Sequence, residues 1–111
     1  MAGTIKRYAE FWPFYLQEHS NPTNRVLHYI GTTLVFVALA AAIWTRNWWL
    51  LLLMPVAGYF FAWVGHYGVQ KNRPATFTYP FWSLISDFRM YFVWVSGGLD
   101  REFKKYQVRQ N

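Results

Sequence analysis

The chain contains no cysteine, which excludes disulfides, thiolate nucleophiles, iron–sulfur clusters and cysteine zinc sites. Any metal must therefore be held by histidine, carboxylate or amide oxygen. Acidic residues are scarce: five Asp and Glu stand against eleven Lys and Arg, for a formal charge of +6. There is no GxGxxG, no P-loop and no serine in a nucleophile elbow, so dinucleotide binding, phosphate cradling and hydrolase triads find no support. Internal repeats and low-complexity stretches are also missing. The first residues, MAGTIKRYAEFW, carry neither a long apolar core nor a cleavage site, so no removable signal peptide is expected and insertion would use internal spans.

What fills the 111 residues instead is apolar and aromatic: 54% hydrophobic, 23% aromatic and only 14% charged. A single soluble domain of this length has no core large enough for that much apolar surface, and the excess calls for lipid or a partner. Trp48 to Val69 is a run of 22 residues without Asp, Glu, Lys or Arg, about the length that crosses a bilayer as a helix. Val26 to Thr45 is a second such run, with small residues Gly31, Ala38, Ala41 and Ala42 that allow a neighbouring helix to approach. The basic residues flank these runs: Lys6, Arg7, Arg25, Arg46, Lys71 and Arg73, then Arg101, Lys104, Lys105 and Arg109. That placement suits lipid phosphates rather than a groove for nucleic acid, and no nucleic-acid partner is expected.

The expected fold is all-α, one multi-pass helical membrane domain over 1–111. Its centre is a two-helix transmembrane hairpin, with spans of about 26–45 and 48–69. A third apolar helix covers about 81–96, either spanning, re-entrant or interfacial, and interfacial helices about 5–19 and 99–109 lie apolar face down. Pro13 predicts a kink or a restart in the first of these, and Pro55 a bend in the second span. Asn21 and Pro22 form a helix-start signal. The short turn Thr45-Arg46-Asn47 makes the second span return beside the first. His28 lies 18 residues before Arg46 and His66 20 residues after it, so at about 1.5 Å per residue both fall at the same end of the pair.

His19, His28 and His66 are thereby candidates for one metal site, and imidazole suits iron, zinc, copper or nickel. No HxxxH pair supplies two ligands ready-made, and each histidine taken singly is also readable as an interfacial, hydrogen-bonded residue. Asp87, inside an apolar stretch, is either a site carboxylate or the partner of Arg89 or Arg73 in an ion pair. Arg25 and Arg73 flank the candidate site and either grip a carboxylate or phosphate or anchor headgroups. Arg25, Arg73 and Asp87 are the candidate catalytic residues. Ser83, Ser86 and Ser96 read as serines bonded to their own helix. A non-catalytic lipid-binding scaffold and a metal-dependent lipid hydrolase are the competing readings.

The stretches HSNPTNRVLHYIGT, VGHYGVQKNRPATFTYP and SLISDFRM together resemble the small membrane proteins related to the fungal 2-hydroxy fatty acid dioxygenase of phytosphingosine degradation. The resemblance covers about residues 15–90. It implies an Fe(II)-dependent, multi-pass membrane enzyme, in the inner membrane if bacterial. Such an enzyme uses O₂ to remove one carbon from a 2-hydroxy fatty acid, with His19, His28 and His66 as iron ligands. The sequence departs from the family pattern at Gln70, where an acidic residue is expected, and offers no fourth histidine. Oligomeric state is left open.

Overall fold

The computed structural model describes residues 5–110, which form 79% helix with no strand among them. In chain order these are α1 (Tyr8–Glu18), α2 (Pro22–Thr45), a 3₁₀ turn (Trp48–Leu52), α3 (Leu53–Trp63), a π-helical segment (Val64–Gln70), a second 3₁₀ turn (Ala75–Phe77), α4 (Pro80–Val95) and α5 (Leu99–Lys105). Two stretches, Pro22–Thr45 and Trp48–Gln70, are long and apolar enough to cross a membrane. Only 6% of an apolar 18-residue part of the second is buried inside the molecule, unlike the mostly buried core helix of a soluble bundle. Val37, Ile43, Trp44, Trp49 and Phe60 are all more than half exposed. An apolar belt of this size needs lipid or a partner around it.

α2 begins as its sequence dictates. The Asn21 side chain accepts from the Thr23 and Asn24 amides, and Pro22 takes the first helical position, where no amide is required. Its inward stripe, Asn24, His28, Gly31, Ala38 and Ala42, is buried. The glycine allows α3 to come close: a Cβ on Gly31 would stand 3.1 Å from the Ala57 carbonyl oxygen and 3.2 Å from the Phe61 Cβ. Arg46, in the left-handed conformation, ends α2 and turns the chain back.

The two ends of the chain depart from expectation. α1 runs unbroken through Pro13, and its stripe of Phe11, Trp12, Tyr15 and Leu16 does not face outward. These side chains form the hydrophobic core with Tyr79, Met90, Leu99 and Phe103, sandwiched between α4 and α5. The apolar face expected to lie on lipid is therefore consumed by packing within the protein. Pro55 sits where the 3₁₀ turn gives way to α-helix, so the change of helix type accommodates its missing amide. α5 stops at Lys105 rather than continuing to 109, closed by a bond of 2.9 Å from the Val108 amide to the Phe103 carbonyl around a left-handed Gln107.

Candidate metal centre

The three histidines meet. His19 arrives from the turn after α1, His28 from the second turn of α2, and His66 from the π-segment. His19 Nε2 lies 3.2 Å from His28 Nε2 and 3.0 Å from His66 Nε2, and the ligand atoms of all three lie within 4.8 Å of one another. All three side chains are buried.

The opposite ring nitrogens explain why these faces converge. His19 Nδ1 is 2.7 Å from the Tyr15 carbonyl, His28 Nδ1 is 2.9 Å from the Asn24 carbonyl, and His66 Nδ1 is 2.7 Å from Asn72 Oδ1. A carbonyl oxygen only accepts, so each Nδ1 carries the proton and each Nε2 presents a lone pair. The Asn72 amide is fixed the right way round because its Nδ2 donates to the Glu18 carbonyl at 3.0 Å. Three imidazole lone pairs thus point at one another with no proton between them. That arrangement is repulsive without a cation and suits one: bonds of about 2.0–2.1 Å to a shared ion put ligand nitrogens roughly 2.8–3.4 Å apart. Burial, and then the nearby His28 and His66 rings, hold His19 well below the ordinary imidazole range, so it stays neutral and able to ligate.

Behind the rings, polar side chains tie the three elements together. Gln70 Oε1 accepts from Asn24 Nδ2 at 2.9 Å and from the Asn21 amide at 3.3 Å, while its Nε2 donates to Ser20 Oγ at 2.9 Å. A neutral amide that both donates and accepts is what this position needs, and Gln70 serves as a staple between the π-segment and the turn before α2. Gly65 makes room for the Asn24 side chain that Gln70 holds. A Cβ there would fall 1.9 Å from Asn24 Oδ1.

The histidines close one end of a cavity of about 340 Å³ between α2, α3 and α4. Tyr15, Ser83 and Asp87 line it, as do Thr32, Tyr59 and Thr76, and the rest of its wall is mostly apolar, including Val35, Met54, Leu84 and Phe88. The Tyr15 hydroxyl donates to Asp87 Oδ1, and the Tyr15 ring stacks on His19 with centroids 4.0 Å apart. Burial pushes the Asp87 carboxyl up to about 7, although the Tyr15 hydrogen bond acts the other way. Burial, and then the Asp87 charge, push the Tyr15 phenol well above its ordinary value, so it remains a donor.

Of the candidate catalytic residues, Asp87 alone lines this cavity. Among the described residues it makes no ion pair, because Arg89 faces Glu102 at 3.8 Å and covers the Trp12 ring at 4.0 Å. Arg25 is directed away. Its guanidinium donates to the carbonyls of His19 and Ser20 at 2.8 and 2.9 Å and to Gln110 Oε1 at 2.7 Å, so its donors hold the turn that carries His19. Arg73 is exposed and lies over Phe77 at 5.2 Å. Nor are the serines alike: Ser96 bonds to its own helix, Ser86 pairs with the Tyr8 hydroxyl at 2.9 Å, and the Ser83 hydroxyl has no hydrogen-bond partner among the described residues. Sequence reasoning missed Asn72 and Tyr15 and marked Gln70 only as a departure from the family pattern, not as a staple; the available signal was Tyr15 and Asn24 each standing four residues before a histidine, where a helical carbonyl meets the ring.

By class, the described residues make an all-helical protein with two helices long and apolar enough to cross a membrane and a buried three-histidine cluster that could hold a metal ion. The family described as 2-hydroxy-palmitic acid dioxygenase Mpo1-like matches residues 5–99, and the chain belongs to that family. No curated protein and no solved structure matches it.

Proposed function

We propose that the protein is an integral membrane dioxygenase that uses Fe(II) and O₂ to shorten 2-hydroxy fatty acids by one carbon. The observation that carries this reading is the convergence of three proton-free Nε2 atoms at the closed end of an apolar cavity. His19, His28 and His66 hold the metal, and their Nδ1 acceptors keep each ring in the ligating tautomer. A bound Fe(II) would supply the open-shell chemistry that lets O₂ react with a closed-shell acid.

The chain's own contribution is to receive and orient the acid. The apolar walls along α2, α3 and α4 take the hydrocarbon chain, and the cavity reaches from His66 back to Met54, about 18 Å along a helix axis. Asp87, on the α4 wall, lies where it can hold a proton beside the substrate head. Conversion of a 2-hydroxy acid and O₂ to the acid one carbon shorter, CO₂ and water balances in atoms and electrons, so no external reductant is needed. This agrees with the absence of a dinucleotide or flavin motif. α2 and the Trp48–Gln70 stretch cross the bilayer, which delivers the substrate from the lipid phase.

Oxygen uptake by detergent-purified protein tests this, using a 2-hydroxy long-chain acid with and without Fe(II), followed by identification of the product. His66→Ala should remove bound iron and product together; activity surviving that change would refute the assignment. A lipid hydrolase at the same site would consume no oxygen.

A further inference from the structure

Three hydroxyls on these helices are spent locally. Thr33 Oγ1 donates to the Tyr29 carbonyl at 2.8 Å, Thr45 Oγ1 to Ala41 at 2.6 Å, and Ser96 Oγ to Val93 at 2.8 Å, the usual way a helical hydroxyl satisfies itself. Ser83 breaks the pattern. It is only 4% exposed, its Oγ has no hydrogen-bond partner among the described residues, and it lines the cavity that the histidines close. A buried, unpaired hydroxyl costs stability unless something else pairs with it.

Its surroundings define what that partner is. Asp87 stands one helical turn further along the same face of α4 and lines the same cavity. Among the described residues no Lys or Arg lines it, so a carboxylate there would meet no guanidinium and would face the acidic Asp87 side chain. The anionic end of a ligand therefore belongs at the histidine end, with the metal cation. A neutral hydroxyl suits the α4 side, because it both donates and accepts. α3 and α4 both pack on α2 and make little contact with each other, and the cavity lies between the three.

We propose that Ser83 is the residue that recognises the 2-hydroxyl of the acid, and so sets selectivity for hydroxylated over plain fatty acids. The inference rests on the dioxygenase reading for the identity of the ligand, but its test does not require turnover.

Binding of 2-hydroxyhexadecanoic and hexadecanoic acid is compared by tryptophan fluorescence in wild type and Ser83→Ala, both with Zn²⁺ and metal-free. Zn²⁺ suits imidazole and has no redox chemistry, so occupancy is read without reaction. Wild type should prefer the hydroxylated acid. Ser83→Ala should lose that preference by roughly three- to tenfold, with binding of the plain acid unchanged. Its melting temperature should equal or exceed that of wild type, because an unpaired buried hydroxyl has been removed. Equal binding of the two acids by wild type, an unchanged preference in the variant, or a parallel loss for both acids would each overturn the role of Ser83. Failure of wild type to hold Zn²⁺ would instead strike the metal-site reading, and the metal-free arm would still decide whether Ser83 reads the hydroxyl.

Discussion

His66 and Asn72 are bound to each other twice. The imidazole Nδ1 lies 2.7 Å from the Asn72 side-chain oxygen, and the Asn72 backbone amide bonds to the His66 carbonyl at 2.9 Å. The second contact closes the π-segment, and the first sets which nitrogen of His66 is free.

Asn72→Leu is therefore expected to weaken metal binding by roughly 10–100-fold, as loss of a group orienting a ligand commonly does. Asn72→Asp keeps an acceptor on Nδ1 but loses the donor to Glu18, so it should retain more affinity than Leu. Titration of the apo protein with Zn²⁺ or Fe(II) compares the three.

Gly65→Ala should destabilise the fold by about 1–3 kcal/mol, the usual cost of overpacking. The new methyl would sit 1.9 Å from Asn24 Oδ1, forcing Asn24 off Gln70. Shortening the obstacle should restore part of the loss, so Gly65→Ala with Asn24→Ala is expected to be less unstable than the sum of the two single changes. Denaturant titration in detergent measures the cycle.

Arg25→Met should cost about 2–4 kcal/mol of stability, since it strands the carbonyls of His19 and Ser20 in a buried setting. Because Arg25 lies outside the cavity, the relative KM values for acids of different head group should not change. A selective rise in KM for carboxylates would return Arg25 to the role its position in the sequence suggested.

Asp87 makes stability depend on pH in a stated direction. Its folded-state pKa, about 7, lies above the value of about 3.9 expected in an unfolded chain, so between these values the folded protein binds more protons. The contribution of this group is thus most favourable near pH 4 and below, declines as pH rises toward 7, and levels off above. Asp87→Asn should remove that slope, and the difference between the two proteins in melting temperature across pH 4–8 isolates it from other carboxylates.

The long helices were legible because their chemistry is carried by composition: uncharged runs, Asn21 and Pro22 at a start, small residues at the packing stripe. The meeting of His28 and His66 followed from counting along two rods from a common turn. Other features leave no such mark. The left-handed Lys71 and Gln107 end helices without glycine, so the π-segment and the early end of α5 give no sequence signal. The stripe on α1 was correctly identified as apolar, but periodicity does not say whether protein or lipid covers it. Arg25 and Arg73 show the same limit, because a sequence names the charge and not the direction of a long side chain.

The widened coil over Val64–Gln70 also sets the rotational phase of everything around His66. Deleting one residue within it would let the stretch relax to ordinary α-helix with the side chains beyond it nearly in phase, because six steps of about 100° cover roughly the turn that seven wider-coil steps cover. Tightening the coil with all seven residues kept would instead swing Gln70 and Asn72 by about a third of a turn, away from Ser20 and the His66 ring, and so unmake the supports of the cluster while leaving the length and apolarity of the rod almost intact.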